Sequence, residues 1–158
     1  MDAKNRVVIQ RRYAAALEDV WALWTTKEGI ESWWGPEGFR VEVRKLDLRP
    51  AGELHYAMIA ESPEMVRFME QAKMPVVQEC RLRYEQIVPY RCLSYLHQAD
   101  FIPGVDPYDV THVVELEAVG GQVLLTLTFD RMHDPTWTQR ATEGWQQELG
   151  KLGKVLSK

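Results

Sequence analysis

Hydrophobic and polar positions alternate along much of the chain, and this pattern predicts an extensive β-sheet. A period of two is typical of strands that bury one face. The clearest case is residues 122–130, where threonines on one side alternate with a row of apolar residues, Val123, Leu125, Leu127 and Phe129. The same criterion predicts further strands over residues 7–13, 39–48, 53–58, 76–88, 91–99 and 110–119.

Turn residues join four of these strands into two hairpins. Gly120-Gly121 lies between two alternating runs and is a strong signal for a tight turn. Pro89-Tyr90 separates the preceding pair of strands. A turn centred there places Cys92 opposite about Gln86, and we therefore expect no disulfide bond between Cys80 and Cys92.

Apolar residues at helical spacing predict four helices. Two short helices occupy residues 14–26 and 27–34, and Gly35-Pro36-Glu37-Gly38 ends the second. Ser62-Pro63 predicts the start of a small helix near 62–73, inserted between two strands. Asp134-Pro135 opens a long C-terminal helix with one apolar stripe, formed by Trp137, Ala141, Trp145, Leu149 and Leu152.

These elements predict an α+β protein with one antiparallel sheet of about six or seven strands. The sequence contains no repeat, low-complexity tract or linker, so we predict a single domain over residues 1–158. The net charge is -4 and the basic residues are scattered, which excludes a nucleic-acid surface. No stretch approaches the length of a membrane span, and the polar start of the chain indicates no leader. We therefore expect a cytoplasmic protein.

The chemical motifs of common enzymes are missing from the sequence. Its four histidines have no metal-ligand spacing, and it contains no P-loop, GxSxG or GxGxxG pattern. We therefore assign no catalytic residue, no metal ligand and no cofactor. His112 shares a strand face with Val114 and Leu116, so it is either a core histidine or a polar group in a pocket. The face of the strand that carries His97 stays open.

Four segments carry a family resemblance. Residues 18–25, residues 33–39 (Trp-Trp-Gly-Pro-Glu-Gly-Phe), residues 46–52 and the Gly144-Trp145 region together resemble homologues of the heat-shock-protein ATPase activator, in the SRPBCC (START-like, birch-pollen-allergen-like) superfamily. Ala51 replaces a glycine of the family pattern, and the inserted helix departs from it. The resemblance implies a helix-grip fold, a curved sheet around the C-terminal helix with a cavity between them. That superfamily includes carriers, receptors, cyclases and co-chaperones, so fold does not select a function.

Our leading hypothesis is a module that binds a small apolar or aromatic molecule, with no membrane partner, as a monomer or homodimer. The predicted ligand pocket consists of Tyr56, Met58, Phe68, Met69, Tyr95, His112, Trp137 and Trp145. One alternative is a cyclase or dehydratase in which His112 or His97 acts as the acid or base. Another is a co-chaperone-like protein-interaction module. The inserted helix, with Phe68 and Met69, is a candidate lid.

Overall fold

A curved antiparallel sheet of seven strands forms the frame of the protein. The computed structural model describes residues 5–100 and 102–158, so the first four residues and Phe101, in the predicted loop after residue 99, lie outside the described residues. The strands are β1 (Arg6–Tyr13), β2 (Phe39–Leu46), β3 (Glu53–Ala60), β4 (Val77–Val88), β5 (Cys92–Ala99), β6 (Tyr108–Val119) and β7 (Gln122–Asp130). Their order is β1-β7-β6-β5-β4-β3-β2. The α+β prediction is confirmed.

The four predicted helices are all present. They are α1 (Leu17–Thr25), α2 (Lys27–Trp33), α3 (Pro63–Gln71) and α4 (Pro135–Leu156). Ser62 and Asp134 cap α3 and α4, each accepting a backbone N–H with its side chain. α1 begins three residues later than predicted, because Ala15 N bonds Tyr13 O in a turn that leaves β1 and Ala16 is still extended. Among the described helices, none is long and apolar enough to cross a membrane.

The register of the sheet determines which side chains face α4. Leu82 of β4 lies opposite His97 of β5, which lies opposite Val110 of β6. Leu82 and Val110 are buried, so His97 also points to the concave side. Cys92 pairs with Val88 rather than Gln86, which corrects the predicted register.

The hairpin turn explains this correction. It contains three residues, 89–91, and is closed by a bond from Arg91 N to Val88 O. Tyr90 occupies the left-handed region with φ 67°. Cys80 pairs instead with Tyr56 of β3, and both cysteines are free.

Two apolar clusters fill the space beneath the helices. The larger one joins the concave face of the sheet to α1, α2 and α4, and it includes the fully buried Leu149 and Leu152 of α4. The hydroxyl of Tyr13 in β1 donates to Leu149 O and fixes the C-terminal half of α4 against the sheet. A smaller cluster lies under α3, where Met69 packs with Phe39 and Ala60 beside several methionines. α3 is therefore attached separately from the main core.

The turn between β2 and β3 contains Ala51, which replaces a glycine of the family pattern, followed by Gly52. Ala51 adopts φ 69°, a conformation that costs a residue with a Cβ about 1 kcal/mol or more. A Cβ on Gly52 would lie 2.2 Å from Asp47 O. Ala51 N also donates to Tyr84 O, which ties the turn to β4. The alanine is therefore strained, whereas the glycine has no room for a side chain.

We predict opposite effects of substitutions at these two positions. Ala51→Gly removes the left-handed strain and should raise the free energy of unfolding by up to about 1 kcal/mol. Gly52→Ala should lower it by about 2 kcal/mol or more, because the methyl group overlaps a backbone oxygen. Urea denaturation of both variants measures this. Equal effects of the two substitutions would contradict the strain assigned to Ala51.

Candidate functional site

A cavity of about 300 Å³ lies between the concave face of the sheet and α4. The sheet contributes side chains from six strands, and α4 contributes the opposite wall. From the sheet, the central lining residues are Tyr56, Cys80, His97, Val110, His112 and Phe129. From α4 they are Trp137, Arg140, Ala141, Gly144, Trp145 and Glu148. The walls are mostly apolar and aromatic, with a few polar groups among them.

Seven of the eight side chains predicted for the pocket line this cavity: Tyr56, Met58, Phe68, Met69, His112, Trp137 and Trp145. Tyr95 does not line it. Its ring is fully buried and stacks on His112 with 5.0 Å between ring centroids, so it supports the cavity wall from the side. His97 does line the cavity, which settles the strand face that the sequence left open.

A cluster of four tryptophans holds the N-terminal helices against α4. Trp24 of α1 meets Trp33 of α2 edge-on at 4.6 Å and stacks on Trp145 of α4 at 5.8 Å. Trp34, directly after α2, meets Trp145 at 6.1 Å and forms part of the cavity wall. Such ring contacts add to the free energy gained from burial. The Trp-Trp pair of the family motif is therefore both a structural anchor and a cavity boundary.

Hydrogen bonds attach the loop after α2 to α4. Glu148 Oε1 accepts the N–H of Gly35 at 2.6 Å, while Lys151 Nζ donates to the carbonyl of Gly35 at 2.8 Å. Gln147 Oε1 accepts the N–H of Glu37 at 3.1 Å. Gly35 has φ +92°, so this loop conformation favours glycine. Gly35 is thus held by α4 at both its N–H and its carbonyl, which fixes the loop after α2 against the helix.

The polar groups of the sheet wall are held by hydrogen bonds and ring contacts. Tyr56 and His97 share a hydrogen bond of 2.7 Å between the hydroxyl and Nε2. His112 is stacked between Tyr95 and Phe129, and its Nδ1 donates to the Val110 carbonyl at 3.1 Å. Because a carbonyl only accepts, Nε2 of neutral His112 carries the lone pair. The sheet therefore presents uncharged polar atoms to the cavity.

Burial makes the ionisable groups of this wall uncharged over a wide pH range. Burial lowers the pKa of His97 to about 4 and that of His112 to about 3, because an imidazolium loses its hydration there. It also raises the pKa of the Cys80 thiol to about 12. A thiol with so high a pKa is a poor nucleophile at neutral pH.

Glu148 is a carboxyl group at the cavity that the sequence prediction missed. Burial raises the pKa of this carboxyl to about 7, although the Gly35 N–H and the nearby Lys151 favour its ionised form. The signal was present in the sequence: residue 148 lies seven positions after Ala141 and three after Trp145, within the apolar stripe of α4. A charged residue in an apolar stripe indicates a partner or a function, and here it lies at the cavity.

The described side chains at the cavity form no metal centre. Within residues 5–100 and 102–158, no group of three or more His, Cys, Asp or Glu side chains is arranged to hold a metal ion. Its polar groups are dispersed over several strands and one helix, and they can offer separate hydrogen bonds to a bound molecule. This arrangement suits an organic ligand with few polar atoms.

We predict that Glu148→Gln stabilises the protein at pH 8 and not at pH 4. The folded-state pKa of Glu148 lies above the value of about 4.5 expected in the unfolded chain. The unfolded carboxyl therefore ionises first as pH rises, and stability is lost between about pH 4.5 and pH 7. Glutamine keeps an acceptor for Gly35 and carries no charge. The gain at pH 8 should be about 1–3 kcal/mol by urea denaturation.

The matched control is Glu143→Gln, at an exposed position on the same helix. It should change the free energy of unfolding by less than about 0.5 kcal/mol at both pH values. A gain from Glu148→Gln that is the same at pH 4 and pH 8 would show that burial does not hinder ionisation of Glu148.

The buried histidines predict the opposite pH dependence. Because the folded-state pKa values of His97 and His112 are lowered, the stability they contribute is present above pH 6.5 and is lost as pH falls toward 4. His112→Phe keeps a ring between Tyr95 and Phe129. Between pH 7 and pH 4 it should lose roughly 2 kcal/mol less than the unsubstituted protein. Parallel stability curves for the two proteins would contradict this.

Solved structures share this architecture over nearly their whole length. An X-ray structure of a protein from Chromobacterium violaceum matches with a TM-score of 0.81 at 21% identity, covering 98% of this chain and 99% of that one. The AHSA1 protein from Silicibacter pomeroyi matches with a TM-score of 0.76 at 20% identity, covering 96% and 97%. A protein from Mycobacterium smegmatis matches with a TM-score of 0.75 at 19% identity, covering 99% and 94%. At these identities the likeness shows the fold alone, and it confirms the helix-grip prediction.

Sequence comparison assigns the family. No curated protein sequence matches the chain. The family model described as "Activator of Hsp90 ATPase homolog 1-like protein" matches residues 14–157, which include all the segments on which the resemblance rested. The chain therefore belongs to the family of activator of Hsp90 ATPase homolog 1-like proteins.

Proposed function

We propose that this protein binds a small apolar or aromatic molecule in the cavity between α4 and the sheet. One observation carries the proposal: a cavity of about 300 Å³, walled mainly by aromatic and apolar side chains, into which a few separate polar groups project. Ligand sites in proteins have this composition, since apolar walls supply the free energy of transfer and a few polar atoms orient the ligand.

The volume limits the size of the ligand. Ligand pockets commonly measure about 300–1,000 Å³, so this one is at the small end. A dry apolar cavity of about 150 Å³ holds one benzene ring. A molecule of one or two fused rings therefore suits the space, whereas a long acyl chain or a polycyclic compound requires the walls to move.

α3 is the part of the wall that we propose moves when a ligand enters. Phe68 lines the cavity and is 53% exposed, so the cavity reaches the surface beside it. Its neighbour Met69 is 3% exposed and belongs to the small cluster under α3, which is separate from the main core. Methionine side chains adapt to different neighbours at low cost. Displacement of α3 is thus the proposed route by which a ligand enters.

The alternative of a histidine-dependent enzyme gains less support. It required His112 or His97 to exchange a proton near neutral pH. Burial lowers both pKa values to about 3–4, so both imidazoles are neutral at pH 7 and are weak bases. Glu148, with a pKa of about 7, is the cavity group suited to proton exchange at that pH.

We predict that filling the cavity weakens binding. Gly144 lines the cavity, and a Cβ placed on it meets no atom within 4 Å, so Gly144→Leu projects a side chain into open space. Native mass spectrometry of the purified protein detects a co-purified molecule, and NMR titration with indole and 1-naphthol measures binding. We expect a dissociation constant of about 1 mM or tighter for the unsubstituted protein, and at least a tenfold weaker one for Gly144→Leu.

Gly150→Leu is the matched control. Gly150 lies on the same helix with equally open space around its Cβ, but it does not line this cavity. Both substitutions raise helix propensity, so neither should lower the melting temperature. Binding that survives Gly144→Leu, or that both variants lose equally, would contradict the cavity as the site. An unliganded mass together with no titration response would contradict ligand binding altogether.

A further inference from the structure

The α4 wall of the cavity carries a carboxyl group whose surroundings specify part of the ligand. Glu148 uses Oε1 to accept the Gly35 N–H, and its side chain also lines the cavity. Within residues 5–100 and 102–158, no basic nitrogen lies within 4.0 Å of its carboxylate oxygens. Oε2 is therefore left for a bound molecule, and no ion pair with a described residue neutralises the carboxylate.

Three aromatic rings line the cavity together with this carboxyl. Trp145 lies one turn before Glu148 on the same face of α4, and Trp34 directly precedes the glycine that Glu148 binds. Tyr56 meets Trp34 edge-on at 5.3 Å, and all three rings line the cavity. The faces of tryptophan and tyrosine attract cations through their quadrupoles. A carboxylate among such rings is the arrangement that recognises ammonium groups.

Neither nearby basic side chain of the described residues forms an ion pair with the Glu148 carboxylate. Lys151, on its own helix, interacts favourably with the carboxylate but donates its Nζ hydrogen bond to Gly35 O. Arg140 is the basic side chain among the described lining residues, and its guanidinium lies 4.9 Å over the Trp137 ring. It is eight residues from Glu148, about 12 Å along the helix.

The facing strands add no positive charge near neutral pH. The titratable groups that face Glu148 from β3, β4, β5 and β6 are Tyr56, Cys80, Tyr95, His97 and His112. All are uncharged at pH 7, because burial raises the pKa values of the two tyrosines and the thiol and lowers those of the two histidines. Glu37 and Glu61 lie near Lys151 and are acidic. The facing strands therefore present no cation to a ligand at Glu148, and the positive charge of Lys151 on α4 is shared among Glu148, Glu37 and Glu61.

We propose that Glu148, with Trp34, Tyr56 and Trp145, selects a ligand that joins an aromatic or apolar body to a protonated amine. The ring body occupies the space near Ala141 and Phe129, and the ammonium group donates to Oε2 of Glu148. The lone pair on Nε2 of His112 offers a further acceptor for a donor on the body. This inference rests on the proposed function and names the chemistry of its ligand.

The pH dependence of amine binding follows from the ionisation of Glu148. An ammonium ligand binds the ionised form of Glu148, and burial holds the pKa of the empty site at about 7. Affinity for an amine should therefore fall by about tenfold between pH 8 and pH 6, while the amine itself stays protonated. The affinity of a neutral molecule of the same shape should change by less than about threefold over this range.

A matched pair of probes tests the inference. Tryptamine and tryptophol share the indole ring and the ethyl chain, and they differ in an ammonium against a hydroxyl group. Isothermal titration calorimetry at pH 8 should show that tryptamine binds at least about tenfold tighter than tryptophol. Glu148→Gln should remove this preference, and Glu143→Gln, at an exposed position on α4, should retain it. A melting curve of each variant confirms that it is folded.

The outcomes separate this inference from the proposed function. Equal binding of the two probes, or a preference that Glu148→Gln leaves intact, would overturn the role of Glu148 while the cavity remains a ligand site. The same holds if neither probe binds but indole or 1-naphthol does. If none of these compounds binds the unsubstituted protein, both the inference and the proposed function fail. An amine preference that disappears only in Glu148→Gln and weakens toward pH 6 supports both.

Discussion

The position of α4 relative to the sheet is the constraint on which the cavity depends. Two kinds of contact fix it: the stacking of Trp145 on Trp24, and the attachment of the Gly35 peptide to Glu148 and Lys151. In the same segment of α4, the Tyr13 hydroxyl donates to Leu149 O, and the side chains of Leu149 and Leu152 are fully buried. The helix is therefore in close contact with the sheet along its C-terminal half. The cavity lies beside the N-terminal half of the helix and extends to Glu148, and the rings of Trp137 and Trp145 form part of its wall.

The same residues that build the cavity also place charge in it. Glu148 serves the structure by accepting the Gly35 N–H, and this bond brings its carboxyl to the cavity wall. Above about pH 4.5, the unfavourable ionisation of this buried carboxyl lowers the free energy of unfolding. A protein without a use for the carboxylate would therefore be more stable with glutamine at this position. A destabilising charge at a cavity is typical of functional sites.

The sequence predicts the fold well because the signals are local and repeated. The alternation over residues 122–130, the Gly120-Gly121 turn and the Asp134-Pro135 cap each determine their elements without help from distant residues. The register of β4 and β5 was harder to predict from the sequence, since it depends on a three-residue turn and an irregularity between Tyr84 and Ile87. The predicted opposition of Cys92 and Gln86 failed for that reason.

The site was predictable in part. Alternation on β3 and helical spacing on α4 place Tyr56, Met58, Trp137 and Trp145 on the inner faces, and the structure finds all four at the cavity. Tyr95 has the same inward phase, but it lies beside His112 on the neighbouring strand and its ring is fully buried against that histidine, which periodicity does not encode. Glu148 was missed because charged residues on helices are usually solvent-exposed, and its contact with Gly35 links positions 113 residues apart.

The most direct test of a ligand site between α4 and the sheet is the anomalous diffraction of a bound bromine atom. Crystals soaked with 5-bromoindole should show a bromine peak inside the cavity, within van der Waals contact of side chains from both α4 and the sheet, such as Ala141 and Phe129. Cavity side chains that fill the space themselves, with bromine peaks only on the outer surface or none at all, would contradict a ligand site in this cavity.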